Sequence, residues 1–166
     1  MTKPEFLKPG DKIAITATAR KITPEEILPA IILLNEWGLK PVIGASIGLE
    51  NNQFAGTDEQ RSADLQQQLN DPEIKAIWCA RGGYGTVRII DNIDFSEFKK
   101  FPKWIIGYSD VTVLHSHIHN LGFSTLHAQI AHNINTKSDA TRESLRKALF
   151  GELKNYEIFA SEMNRQ

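Results

Sequence analysis

Three observations predict an α/β protein with a three-layer architecture, a mostly parallel sheet with helices on both faces. Strand-like and helix-like segments alternate along the chain. The strand-like segments are short unbroken apolar runs, Ile74–Ala80 (IKAIWCA) above all, as strands covered on both faces require. Two helix-like segments open on capping boxes, threonine followed three residues later by glutamate or glutamine.

In order, the Gly10-Asp11 turn leads into a strand at Lys12–Thr18. Thr23-Pro24-Glu25-Glu26 starts a helix that carries Ile27, Ile31, Leu34 and Trp37 at helical spacing and ends at Gly38. Lys40–Ile43 is the next strand. After a polar loop, Thr57 and Gln60 open a helix over Thr57–Leu69, which Asp71-Pro72 closes. Ile74–Ala80 runs into the glycine loop Arg81-Gly82-Gly83-Tyr84-Gly85. Thr86–Asn92 and Phe95–Phe98 read as short helices, Trp104–Tyr108 as a strand, Asp110–Leu121 as a helix, Ser124–His127 as a strand and Thr141–Phe150 as an amphipathic helix. The last stretch holds one strand-like piece, Tyr156–Ala160, and a polar end. No internal repeat is present.

At 166 residues with 41% hydrophobic side chains, the chain is long enough for one well-covered core. A formal charge of −1 leaves no basic excess and argues against nucleic acid or an anionic membrane as partner. No apolar run approaches the roughly 18 residues of a membrane span, and the segment MTKPEFLKPGDK has no apolar core of a secretory signal. With a single cysteine, Cys79, inside an apolar run, these features favour a reducing cytoplasm.

Ligands of open α/β sheets sit beyond the carboxyl ends of the strands. Two loops there carry unusual residues, Arg81–Gly85 and Gly107–Asp110. In KWIIGYSDVT, Ser109 is either the cap of the helix that follows or a nucleophile held at a strand-to-helix corner. The decapeptide alone favours the cap, and Val111 stands where the nucleophile elbow G-x-S-x-G has its second glycine. The glycines of RGGYG permit close backbone approach to a ligand, as an oxyanion hole, an anion cradle or simply a tight turn. Arg81 is suited to a carboxylate or to solvent. His115 and His119 share a helical face but lack the glutamate and third ligand of a zinc site. His127 ends a strand on the same rim as Ser109. Among the acids, Asp58 and Asp110 stand out, and the others read as helix faces. Trp37, Trp78 and Trp104 read as core.

Taken together these residues resemble the LD-carboxypeptidases, serine peptidases that include muramoyltetrapeptide carboxypeptidase and the microcin-immunity peptidases. The resemblance rests on L-x-x-G-D-x-I at Leu7–Ile13, F-A-G-T-D-x-x-R at Phe54–Arg61, D-P-E-I-K-A-I at Asp71–Ile77, A-R-G-G-Y-G at Ala80–Gly85, and I-G-Y-S-D-V-T with a downstream T-L-H. It implies a fold similar to the flavodoxin-like class I glutamine amidotransferase domains. It also implies Ser109 as nucleophile, with the backbone amides of Asp110 and Gly83 as oxyanion donors. Arg81, Gly82, Tyr84 and His127, on the same rim, are the expected substrate contacts. The implied activity is cytoplasmic hydrolysis of the terminal L,D-peptide bond of murein tetrapeptides during cell-wall recycling, with no metal or organic cofactor, in a homodimer. The alternatives are a peptide–nucleotide peptidase of the same family and a non-catalytic anion-binding domain. In that family the catalytic glutamate and histidine lie in a second domain. Residues 1–150 are therefore expected to be a nucleophile domain that is inactive alone, and residues 151–166 the start of a linker. Thr16–Arg20 depart from the family's proline and serine after the first strand, and Ala128-Gln129 from the glycine and proline after T-L-H.

Overall fold

The computed structural model describes residues 1–153 and residue 155; the strand-like piece at Tyr156–Ala160 lies outside them. Five parallel strands, β1 (Lys12–Thr16), β2 (Lys40–Ile43), β3 (Ile74–Cys79), β4 (Trp104–Gly107) and β5 (Leu126–His127), form one sheet in the order β2-β1-β3-β4-β5. The helices are α1 (Pro24–Glu36), α2 (Asp58–Asn70), α3 (Thr86–Ile89), α4 (Ser96–Lys100), α5 (Thr112–Asn120) and α6 (Asp139–Leu149). From β1 the chain winds first to β2 and then back past β1 to β3. The topological switch point therefore lies between β1 and β3, where α/β sheets place their ligands.

The apolar runs of β1, β3 and β4 are unbroken because each of these strands feeds two cores. Ile13, Ile15, Trp78, Trp104 and Ile106 pack on one face with Ile27, Ala30 and Leu34 of α1 and Leu145 and Leu149 of α6. Ala14, Ile77, Cys79 and Ile105 pack on the other with Leu65 and Leu69 of α2 and Leu114 and Ile118 of α5. The indole N–H groups of Trp78 and Trp104 donate to Gln129 O and Glu5 O at 2.8 and 2.9 Å, so both rings are buried without an orphaned donor. Both capping boxes form as expected, at Thr23/Glu26 and Thr57/Gln60.

Several boundaries differ from expectation. The first strand stops at Thr16, because the side chains of Thr16 and Thr18 turn into side-chain hydrogen bonds with Ser46, Asp64 and Thr86. The last strand is only Leu126–His127. The final helix begins at Asp139, capped by the hydroxyl of Ser138 on Thr141 N. Lys103, just before β4, is buried: its Nζ donates to Gln68 O and Asp71 O at 2.9 and 2.6 Å and so satisfies carbonyls at the end of α2. Burial pulls its pKa down to about 8.

Candidate active site

Ser109 sits at the corner between β4 and α5 with φ 63°, in the left-handed region that a residue with a Cβ rarely adopts. Its side chain caps no helix: the 3-10 turn Ser109–Val111 and α5 both start without a side-chain cap. The capping reading fails for Asp110 as well, since its Oδ2 accepts the N–H of Thr86 at 2.9 Å, at the start of α3. Strain at an exposed serine with no structural bond to repay it is characteristic of functional corners. Gly107 explains how the corner closes without the second glycine of the elbow pattern. A Cβ on Gly107 would lie 2.9 Å from Cγ1 of Val111, so Val111 fills the space that the missing side chain leaves.

The glycine loop lies against this corner. A Cβ built on Gly82 would be 3.4 Å from Ser109 Cβ and 3.6 Å from its Oγ. Gly83 has φ 108° and is exposed, and its N–H has no acceptor among the described residues. Tyr84 is 52% exposed and packs its ring 6.1 Å from that of Phe54. Gly85 permits close approach: a Cβ there would lie 2.7 Å from Cα of Ala19.

His127 lies opposite Gly107 in the β4–β5 register, exposed, with its ring 6.4 Å from that of Tyr108. No side chain among the described residues hydrogen-bonds Ser109 Oγ. His115 and His119 do not act as a pair. His115 is buried with Nε2 2.9 Å from Gly107 O and Nδ1 without a partner, while His119 is exposed. Burial depresses the His115 pKa, which keeps the imidazole neutral. Arg81 turns toward α1. Its Nη1 is 3.7 Å from Glu26 Oε1, the same oxygen that lies 3.4 Å from His132 Nε2.

The F-A-G-T-D-x-x-R stretch turns out to be a clamp. Arg61 is fully buried and donates to Thr18 O and Gly56 O at 3.1 and 2.7 Å. Asp58 accepts from both Arg61 and Arg88, and the Arg88 guanidinium is the first reason its pKa falls below the usual carboxylate value. Phe54 lies beneath both guanidinium groups, 4.7 and 5.3 Å from their centres.

Sequence reading missed Asp64, taken for a helix face. It is buried in α2 and accepts hydrogen bonds from Thr16 Oγ1, Ser46 Oγ, Ala45 N, Ser46 N and Gln68 Nε2. Ser46 Oγ in turn accepts Ala17 N at 2.8 Å, so the carboxylate fixes where the chain leaves β1. Its signal was the polar residue at 64 beside Leu65, one step off a helical stripe.

Residues 13–128 match the family model described as the LD-carboxypeptidase N-terminal domain. The chain belongs to that family. It is 42% identical over 126 residues to a probable murein peptide carboxypeptidase of Bacillus subtilis, covering 75% of this chain and 40% of that protein. It is 31% identical over 121 residues to a murein tetrapeptide carboxypeptidase of Pseudomonas aeruginosa, covering 72% and 39%. Among solved structures, the microcin C7 self-immunity protein MccF in complex with aspartyl sulfamoyl adenosine superposes with a TM-score of 0.82 at 25% identity, over 88% of this chain and 46% of that one. Muramoyltetrapeptide carboxypeptidase from Oxalobacter formigenes gives 0.73 at 25%, over 82% and 47%. The three-layer α/β fold is thus shared with these proteins, and the chain spans about half the length of the curated relatives it matches. No helix among the described residues is long and apolar enough to cross a membrane.

Proposed function

We propose that this chain is the nucleophile-bearing half of a cytoplasmic serine carboxypeptidase that removes the terminal D-amino acid from murein tetrapeptides, without metal or organic cofactor. The observation that carries the reading is the strained, exposed Ser109, uncapped and packed against a glycine loop whose Gly83 N–H is free. Membership of a carboxypeptidase family supplies the reaction class.

In this mechanism Ser109 Oγ attacks the carbonyl carbon of the L,D-bond and gives up its proton to a base. The oxyanion that forms takes hydrogen bonds from the N–H groups of Gly83 and Asp110, each such donor typically contributing about 3–4 kcal/mol to lowering the barrier. Expulsion of the D-amino acid, its nitrogen protonated, leaves an acyl-serine that water hydrolyses. Gly82, Tyr84, His127 and Arg81 form the rim against which the peptide lies. The base and its carboxylate partner come from the half that the relatives possess in addition. Residues 1–150 are the nucleophile domain, residues 151–166 begin the connection, and the full-length protein is a homodimer. Because a serine without a base is a weak nucleophile, the 166-residue chain alone is inactive.

Release of D-alanine from a murein tetrapeptide tests this, using the chain alone, a protein that also carries the second half, and the latter with Ser109→Ala. Activity confined to the longer protein with Ser109 intact is the expected result. Activity of the short chain would overturn the two-part account. The likeness to MccF in complex with an aminoacyl nucleoside analogue motivates a second reading, cleavage of a peptide–nucleotide, for which the same assay with such a substrate is decisive.

A further inference from the structure

The loop after β1 lays an arginine over the glycine loop. Arg20 lies in the loop after β1, beyond Thr18 and Ala19, and is exposed. Its backbone is fixed by an antiparallel bridge to Phe54, flanked by Ala55 N on Ala19 O and Lys21 N on Gln53 O. Its side chain lies across Gly83, where a built Cβ would be 2.5 Å from Arg20 Cδ and 3.3 Å from Nε. The bare backbone of Gly83 is what admits the arginine stem.

Every other arginine among the described residues has an acidic partner: Arg61 and Arg88 share Asp58, Arg81 faces Glu26, Arg142 meets Asp139, and Arg146 meets Glu143 and Glu152. Arg20 has no acidic or hydrogen-bonding partner among the described residues. Glu50, Glu26 and Asp110 are each engaged elsewhere, by Lys21, by Arg81 and the Thr23 amide, and by the Thr86 amide. A guanidinium presented in this way is a ready carboxylate receptor, with a fork of donors that matches two oxygens.

We propose that Arg20 binds the free terminal carboxylate of the peptide and so makes the enzyme a carboxypeptidase rather than an endopeptidase. The assignment rests on the reading of Ser109 and Gly83 given above. Its geometric basis is short. In a C-terminal residue the carboxylate carbon is three bonds from the scissile carbonyl carbon, about 4 Å at most. A receptor for it must therefore stand beside the oxyanion donors. Arg20, draped over Gly83, does; Arg81, turned to Glu26, does not.

The test compares a free-acid peptide, N-acetyl-L-lysyl-D-alanine, with its C-terminal amide. Binding to the 166-residue chain is followed by chemical-shift titration, and hydrolysis by the longer protein is followed in parallel. The wild-type chain is expected to bind the acid about tenfold or more tighter than the amide. Arg20→Gln should abolish that preference and Arg20→Lys should keep part of it. In hydrolysis, Arg20→Gln should raise KM for the acid about tenfold, with a smaller change for the amide. Equal binding of acid and amide by the wild type, or an undiminished preference in Arg20→Gln, would overturn the assignment. A longer protein that hydrolyses neither peptide while the Arg20-dependent preference persists would instead overturn the peptidase reading and leave the carboxylate site standing.

Discussion

Asp110 Oδ2 holds the N–H of Thr86 at 2.9 Å, and this single bond ties the serine corner to the glycine loop. Two loops that follow different strands, β3 and β4, are thereby kept in one relative position. The side chain of Asp110 is thus spent on positioning, while its backbone N–H stays free, as the proposed oxyanion role requires. Asp110→Ala should retain the fold and lower kcat by about tenfold or more through a loosened glycine loop. Steady-state kinetics on the longer protein check this, and unchanged kcat would remove the positioning role.

The left-handed φ of Ser109 makes a second expectation. Ser109→Gly relieves a backbone cost of about 1 kcal/mol that Ser109→Ala retains. Both variants should be inactive, yet the glycine variant should unfold at a higher urea concentration than the alanine variant. Equal midpoints would mean that the corner is not strained.

Gly85 and Gly83 differ in what opposes a side chain. At Gly85 the obstacle is the Ala19 backbone, 2.7 Å from a built Cβ, whereas at Gly83 it is the flexible stem of Arg20. Gly85→Ala should therefore destabilise by about 2–3 kcal/mol. Gly83→Ala should cost less stability but displace Arg20. Denaturation curves of the two variants separate these outcomes.

Two buried groups give opposite pH dependences. Lys103 has a pKa of about 8 in the fold against 10.5 when exposed. Between those values the unfolded chain holds the extra proton, so stability rises with pH by up to about 3 kcal/mol. Cys79, pushed up by burial to about 12 from 9.0, loses its proton first in the unfolded chain, so stability falls from about pH 9 upward. From about pH 9 to 10.5 the two oppose each other, so Lys103→Met should leave only the fall above pH 9 and Cys79→Ala a rise that continues to about pH 10.5. Urea midpoints measured across that range in each variant test both signs.

The fold was legible because local signals agreed with the tertiary result. The capping boxes at Thr23 and Thr57 and the doubly buried runs of β1, β3 and β4 all point one way. Where sequence reading fell short, long-range hydrogen bonds decide. Thr16 and Thr18 look like strand residues until Asp64 and Thr86 claim their hydroxyls. Ser109 looks like a cap because serine is a good one, and only the backbone angle shows otherwise. Asp64 shows locally only as a polar residue one step off a helical stripe, and Arg20 carries no local pattern. The partners of Asp64 come from β1 and the loop after β2, and Arg20 matters only because Gly83 lies beneath it.

The central claim is that Ser109 forms the covalent intermediate. The most direct measurement is peptide mapping by mass spectrometry of the longer protein after reaction with a peptidyl phosphonate that ends in a D-alanine mimic. A stoichiometric adduct on the peptide that contains Ser109, lost in Ser109→Ala, is the predicted result. An adduct on another residue, or none in a protein that releases D-alanine, would contradict it.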